Sequence, residues 1–264
     1  MAKNITKSLV VALAGLALGF GMSYYLLKPE IAIASESNET ERSIPPKKKS
    51  NGIDGIDVSH HNPIDKHWKA VASGNDLHFV YIKATEGATH RDSMYKKNSR
   101  QARKYGLKVG AYHFFTMTSS PRKQFENFKK ATVKKEMDLI PMIDVELYKD
   151  KKGWHIGKYY TNNKKQFRAM RDNIKTLVNL FEKEYGCKPM IYCTCCSYNM
   201  LIKGNVSDCP IYLGHYAKKP GVKNYTIWQY SDKGTIKGYP HHIDVCKFAK
   251  GKSMADILLS HRKK

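Results

Sequence analysis

From Gly52 onward the chain alternates short apolar runs with longer segments whose apolar residues recur at helical spacing. That rhythm predicts repeated βα units around a parallel sheet. Eight strands are expected: GIDVS (55–59), HFVYIKAT (78–85), KVGAYHFF (108–115), LIPMIDVEL (139–147), KPMIYCT (188–194), PIYLGHYA (210–217), YTIWQYS (225–231) and HIDVCKF (242–248). Helices are expected over 64–72, 93–105, 121–135 and 163–185, with a short one at 197–202. The later connections are too short for full helices. The expected fold is therefore α/β, a TIM-like (β/α) barrel of eight parallel-type strands with an incomplete helical ring, its active groups at the C-terminal strand ends.

Alternation within the fourth run singles out two acids. Leu139, Pro141, Ile143, Val145 and Leu147 share one apolar side, while Ile140, Met142, Asp144 and Glu146 share the other. Both carboxylates thus fall where the inner face reaches the strand end. In GIDVS and HIDVC the same alternation isolates Asp57 and Asp244. Four acids from three strands converge on one mouth. Same-face neighbours stand about 6–7 Å apart along a strand, so burial and mutual repulsion favour keeping one carboxyl protonated beside a charged one. That division suits glycosidic cleavage, although the spacing lies between the ranges for retention and inversion. A lone D-x-E is a common polar strand edge; the acids on other strands are what change its meaning. Aromatic residues near the strand ends, Tyr112, His113, Phe115, Tyr192, Trp228 and Tyr230, are candidates for stacking on sugar rings.

The flanking segments change the context. Residues 8–27 form an uncharged apolar stretch behind Lys3 and Lys7, long enough for either a signal peptide or a membrane anchor. The chain is accordingly divided into residues 1–34, signal or anchor; 35–51, a flexible basic linker; and 52–264, the catalytic barrel. With 46 Lys+Arg against 23 Asp+Glu, the net charge of +23 favours a polyanionic partner such as cell wall. No RNA-type aromatic motif or zinc-finger spacing points to nucleic acid. The six cysteines, Cys187, Cys193, Cys195, Cys196, Cys209 and Cys246, lack paired C-x-x-C spacing, so buried thiols or disulfides are expected rather than zinc. His60-His61 and His241-His242 could bind metal or contact substrate.

Taken in order, GIDVSHHN (55–62), VYIKATEG (80–87), KYGLKVGAYHFF (104–115), PMIDVE (141–146), KPMIYC (188–193) and IWQYSDKGTIKGYPHHIDV (227–245) resemble the glycoside hydrolase family 25 lysozymes, the Chalaropsis-type muramidases. The resemblance covers residues 53–249. It implies a barrel with missing helices and retaining hydrolysis of the β-1,4 bond between N-acetylmuramic acid and N-acetylglucosamine in bacterial peptidoglycan. It implies Glu146 as general acid and then base. Asp144 would assist the substrate acetamide or act as nucleophile, with Asp57 and Asp244 completing the acidic mouth. No metal or cofactor is implied, and a monomer is expected. Two departures are Cys246, where Asn is common, and LGHYA (213–217) in place of a Trp-containing strand. The alternatives are a non-catalytic peptidoglycan-binding barrel and a metal-dependent sugar deacetylase.

Overall fold

In a computed structural model, the described residues are 52–147 and 163–259. The signal or anchor expected within residues 1–34 and the linker 35–51 lie outside them. Among the described residues no helix is long and apolar enough to cross a membrane.

Nine strands form one sheet: β1 (Gly55–Val58), β2 (Phe79–Glu86), β3 (His90–Arg91), β4 (Lys108–Phe114), β5 (Met142–Val145), β6 (Met190–Thr194), β7 (Ile211–Gly214), β8 (Ile227–Gly234) and β9 (Ile243–Phe248). The order β1-β9-β8-β7-β6-β5-β4-β2 closes through β1–β2 pairing into an eight-stranded barrel. Outside the ring, β3 is a short antiparallel addition to β2. Seven barrel strands run parallel, but β9 is antiparallel to both β1 and β8. This corrects the expectation of eight parallel-type strands. The segment joining Gly234 to Ile243 is too short for a crossover, so the chain turns back as a hairpin. As a result β9 brings its N-terminal end to the mouth, and Asp244, its second residue, stands directly opposite Asp57.

Among the described residues the helical ring comprises α1 (Trp68–Gly74), α2 (Tyr95–Lys104), α3 (Pro121–Ala131) and α4 (Lys164–Tyr185). In α4 the buried residues Met170, Ile174, Leu177, Val178, Phe181 and Tyr185 repeat at helical spacing and face the barrel. The Asn163 side chain accepts from the Lys165 and Gln166 amides, and Gly186 ends the helix at φ 76°. The first and third helices are shorter than expected. A 3-10 turn, Asp65–His67, precedes α1. Helix α3 stops at Ala131 because Thr132 is extended, its hydroxyl donating to the Phe128 carbonyl. No long helix follows β6, only a three-residue turn and a widened turn, Tyr198–Ile202.

Inside the barrel, large rings fill space left by glycines. A Cβ on Gly55 would lie 2.4 Å from the Phe79 ring, and one on Gly110 would lie 2.3 Å from Tyr81. Tyr81, Tyr212 and Tyr192 stack edge-on beneath the mouth, with centroid separations of 6.1 and 5.4 Å. This aromatic floor is buried, so polar groups placed on it are desolvated. Pro141 lacks an amide, and regular pairing of β5 begins only at Met142, immediately below the acids.

Candidate active site

Asp57, Asp144, Glu146 and Asp244 line one cavity of about 330 Å³, together with Lys83, Tyr112, Phe114, Tyr192, Tyr216 and Gln229. The four acids arrive on three strands. β1 carries Asp57, β9 carries Asp244, β5 carries Asp144, and Glu146 follows directly after β5. Asp57 and Asp144 are each only 8% exposed, whereas Glu146 and Asp244 are half-buried.

Burial raises the proton affinity of all four. Asp144 is pushed well above the usual carboxylate range by burial and then by the charge of Glu146, with Lys83 opposing. Glu146 is raised by burial and then by Asp57, again opposed by Lys83. Asp244 is raised to about 9 by burial and the neighbouring Asp57. Asp57 is raised by burial, but hydrogen bonds from Tyr212, Gln229 and Asp244 pull it back. The site therefore retains protons that isolated carboxyls would release at neutral pH.

The hydrogen bonding is asymmetric. Asp57 Oδ2 accepts from the Tyr212 hydroxyl at 2.7 Å and from Gln229 Nε2 at 2.9 Å. Gln229 Oε1 in turn accepts from the hydroxyls of Tyr192 at 2.8 Å and Tyr216 at 2.9 Å. By contrast, Asp144 Oδ1 is buried with no hydrogen-bond partner among the described residues. An unpaired buried oxygen adds to the cost of ionising Asp144. Lys83 Nζ sits 2.7 Å from Glu86 Oε2 and 4.9 Å from the centre of the Phe114 ring.

Of the six aromatic candidates, the structure brings Tyr112 and Tyr192 to the cavity and places four elsewhere. His113 is fully buried outside the barrel wall; Nδ1 pairs with Thr85 Oγ1 at 2.7 Å, Nε2 with Gln124 Oε1 at 3.1 Å, and burial lowers its pKa to about 4. Phe115 is 1% exposed, and its neighbour Phe114 takes the cavity position instead. Trp228 and Tyr230 lie on the opposite side of β8 from Gln229, where Lys247 Nζ sits 4.8 and 5.2 Å from their ring centres. The strand parity was legible, but residue type had suggested the wrong face.

Lys83, Tyr212, Gln229 and Tyr216 belong to the site and were not anticipated. Lys83 shares parity with Tyr81 on β2, a signal available in the sequence. Tyr216 is 53% exposed at the rim, an aromatic face held in place through its hydroxyl. Of the histidines, His61 reaches the cavity, while His60 Nδ1 is 2.7 Å from Asp92 Oδ2. His241 and His242 are exposed, the former against Tyr239. Among the described residues no group of three or more His, Cys, Asp or Glu is arranged to hold a metal. The six cysteines are free thiols, and Cys246 lies buried under the site in contact with Tyr212 rather than in the cavity.

Comparison with known proteins adds a lineage. The family model "Glycosyl hydrolases family 25" matches residues 56–239. A family 25 glycosyl hydrolase from Bacillus anthracis superimposes with a TM-score of 0.65 at 32% identity, covering 74% of this chain and 88% of that one. A bacterial lysozyme from Streptomyces coelicolor gives 0.64 at 27% identity, covering 77% and 94%. Lysozyme M1 of Streptomyces globisporus is 26% identical over 250 residues, 89% of this chain and 80% of that protein.

Proposed function

The chain belongs to the family 25 glycosyl hydrolases, and on that premise we propose that it is a lysozyme cleaving the β-1,4 bond between N-acetylmuramic acid and N-acetylglucosamine in bacterial peptidoglycan. The observation that carries the reading is the cavity in which four carboxyls from three strands are desolvated together. Glycosidic cleavage needs a proton for the leaving oxygen and negative charge near an oxocarbenium-like centre, and both are on hand here.

In the proposed sequence, substrate settles over the mouth against Tyr112, Tyr192, Phe114 and Tyr216. Its acetamide N–H donates to the Asp144 carboxylate on the side that lines the cavity. That bond stabilises the Asp144 anion and leaves the pair's proton on Glu146. Glu146 gives this proton to the glycosidic oxygen as the bond to the anomeric carbon breaks. The acetamide oxygen, oriented by Asp144, bonds to that carbon with its own lone pair while the leaving oxygen departs with the glycosidic electron pair; direct attack by Asp144 is the other route, and both retain configuration. Glu146, now a carboxylate, takes a proton from the incoming water as the water oxygen bonds to the anomeric carbon and displaces the acetamide or Asp144 oxygen from it, which closes the cycle. Lys83 limits how far the proton affinities rise.

The proposal extends to location and form. Peptidoglycan lies outside the cytoplasm, so residues 8–27 are assigned to export or anchoring, residues 35–51 to a tether, and 52–264 to a barrel acting as a monomer. The cationic surface, net charge +23 for the chain, would hold it on anionic wall. Replacing Glu146 by Gln tests the assignment. Wall-clearing activity should fall by about 10²–10⁴-fold, the usual worth of a general acid, and full activity in that variant would remove Glu146 from the role. Binding to purified wall with no release of reducing ends by the unaltered protein would favour a non-catalytic barrel.

A further inference from the structure

Asp57 accepts two hydrogen bonds from the protein, and the way it is held favours its charged form. Both donors converge on one oxygen, Oδ2. Gln229 Oε1 accepts from the hydroxyls of Tyr192 and Tyr216, which turns its Nε2 toward Asp57. With two donors on it Oδ2 carries no proton, so a proton on Asp57 would have to sit on Oδ1, and the two bonds favour the charged form of Asp57 over that of its neighbour Asp244. Tyr212 is completely buried and is not part of the cavity wall. It reaches Asp57 from below, with the thiol of Cys246 hydrogen-bonded to its hydroxyl.

We propose that Tyr212 is a positioning residue that, with Gln229, fixes Asp57 as the standing anion of the site, and that this charge keeps the proton on Glu146 before substrate binds. The catalytic consequence rests on the reading of Glu146 as the acid; the charge arrangement does not. Asp57 and Asp244 face each other across paired strands and hydrogen-bond to one another. With Asp57 pinned as the anion, the proton they share sits on Asp244. Burial raises Asp57 on balance, but the Tyr212 and Gln229 bonds pull it back, whereas the charge of Asp57 adds to burial in raising both Asp244 and Glu146. Of the other charges at the site, Lys83 from β2 acts on Glu146 and Asp232 from β8 on Asp244, while Asp144 on β5 is itself raised by Glu146, Asp57 and Glu86. His61, beyond β1, also faces the cavity and is held toward its neutral form by burial and by His60. None of these touches Oδ2 of Asp57, so removing the Tyr212 hydroxyl isolates its effect.

Tyr212→Phe keeps the ring and deletes that hydroxyl. Carboxyl-¹³C NMR titration of Asp- and Glu-labelled protein, assigned with Asp57→Asn and Glu146→Gln, reads both groups without reference to activity. The Asp57 midpoint should rise by about one pH unit, and the Glu146 midpoint should fall. The alkaline limb of kcat/KM, which reports the protonated acid, should move to lower pH with Glu146. A purely structural role would lower kcat/KM at every pH and leave both midpoints in place, which would overturn the inference. If Tyr212→Phe fails to fold, Gln229→Met removes the other donor and should move the midpoints in the same directions; unchanged midpoints there would overturn it equally. Shifted midpoints with an active Glu146→Gln enzyme would uphold the charge arrangement while removing Glu146 as the acid. Unshifted midpoints with an inactive one would do the reverse.

Discussion

Replacing Asp244 by Asn should make the protein more stable at neutral pH while impairing the site. The folded carboxyl is raised to about 9 from 3.8, through burial and the adjacent Asp57. A carboxyl raised on folding holds a proton that the unfolded chain releases, so stability falls as pH climbs from the unfolded midpoint toward the folded one. At pH 7 the gap is about three pH units, which sets a ceiling of about 4 kcal/mol on the cost. The shared hydrogen bond with Asp57 spreads that cost over two residues. Asn can still donate an N–H to Asp57, and it needs no proton from solvent to do so. A net gain of about 1–2 kcal/mol is expected, which for a barrel of this size raises Tm by about 2–8 °C. Urea unfolding of both proteins from pH 4 to pH 8 measures it. The gain should be present at pH 7 and vanish near pH 4, where the unfolded Asp is also protonated. Destabilisation at pH 7, or a gain independent of pH, would show that Asp244 is not a buried neutral acid.

Lys83→Met removes the cation that opposes the rise of Asp144 and Glu146. Both should bind protons more tightly, so the acidic limb of kcat/KM should move to higher pH; an unmoved limb would mean that Lys83 is neutralised by Glu86 and silent toward the acids. Gly214→Ala places a Cβ 2.3 Å from the Tyr192 hydroxyl. The hydroxyl must retreat by about 1 Å and give up its 2.8 Å bond to Gln229, at a cost of about 1–3 kcal/mol. Denaturant unfolding should show that loss, and combining the change with Tyr192→Phe should give less than the sum of the two single effects.

The parts of this site that depend on strand parity were legible before the structure. Asp57, Asp144, Glu146 and Asp244 each stand alone among apolar neighbours, so alternation fixes their side without knowledge of the partner strands. Direction was harder. The parallel pattern extended too far because β9 looks like the other strands in composition, and only the short return after Gly234 betrays a hairpin. The aromatic wall was misjudged for a different reason. In KVGAYHFF and IWQYS, polar and aromatic residues occupy both parities, and both faces of a barrel strand are buried here. Tyr112 and Gln229 point in, whereas His113 and Trp228 point out, the latter two satisfied by Gln124 and by the His215 carbonyl. Composition cannot separate those faces when each offers hydrogen-bond partners. Tyr212 and Gln229 were missed because their role depends on side chains meeting across the barrel from strands far apart in sequence.

This mouth should act on one kind of bond, and the sugar left at the cut identifies that bond directly. Purified sacculi digested with the protein, then reduced with borohydride and analysed by mass spectrometry, should yield muropeptides ending in reduced N-acetylmuramic acid, and Glu146→Gln should yield almost none. Reduced N-acetylglucosamine at the new ends, or deacetylated sugars with intact glycan chains, would contradict it.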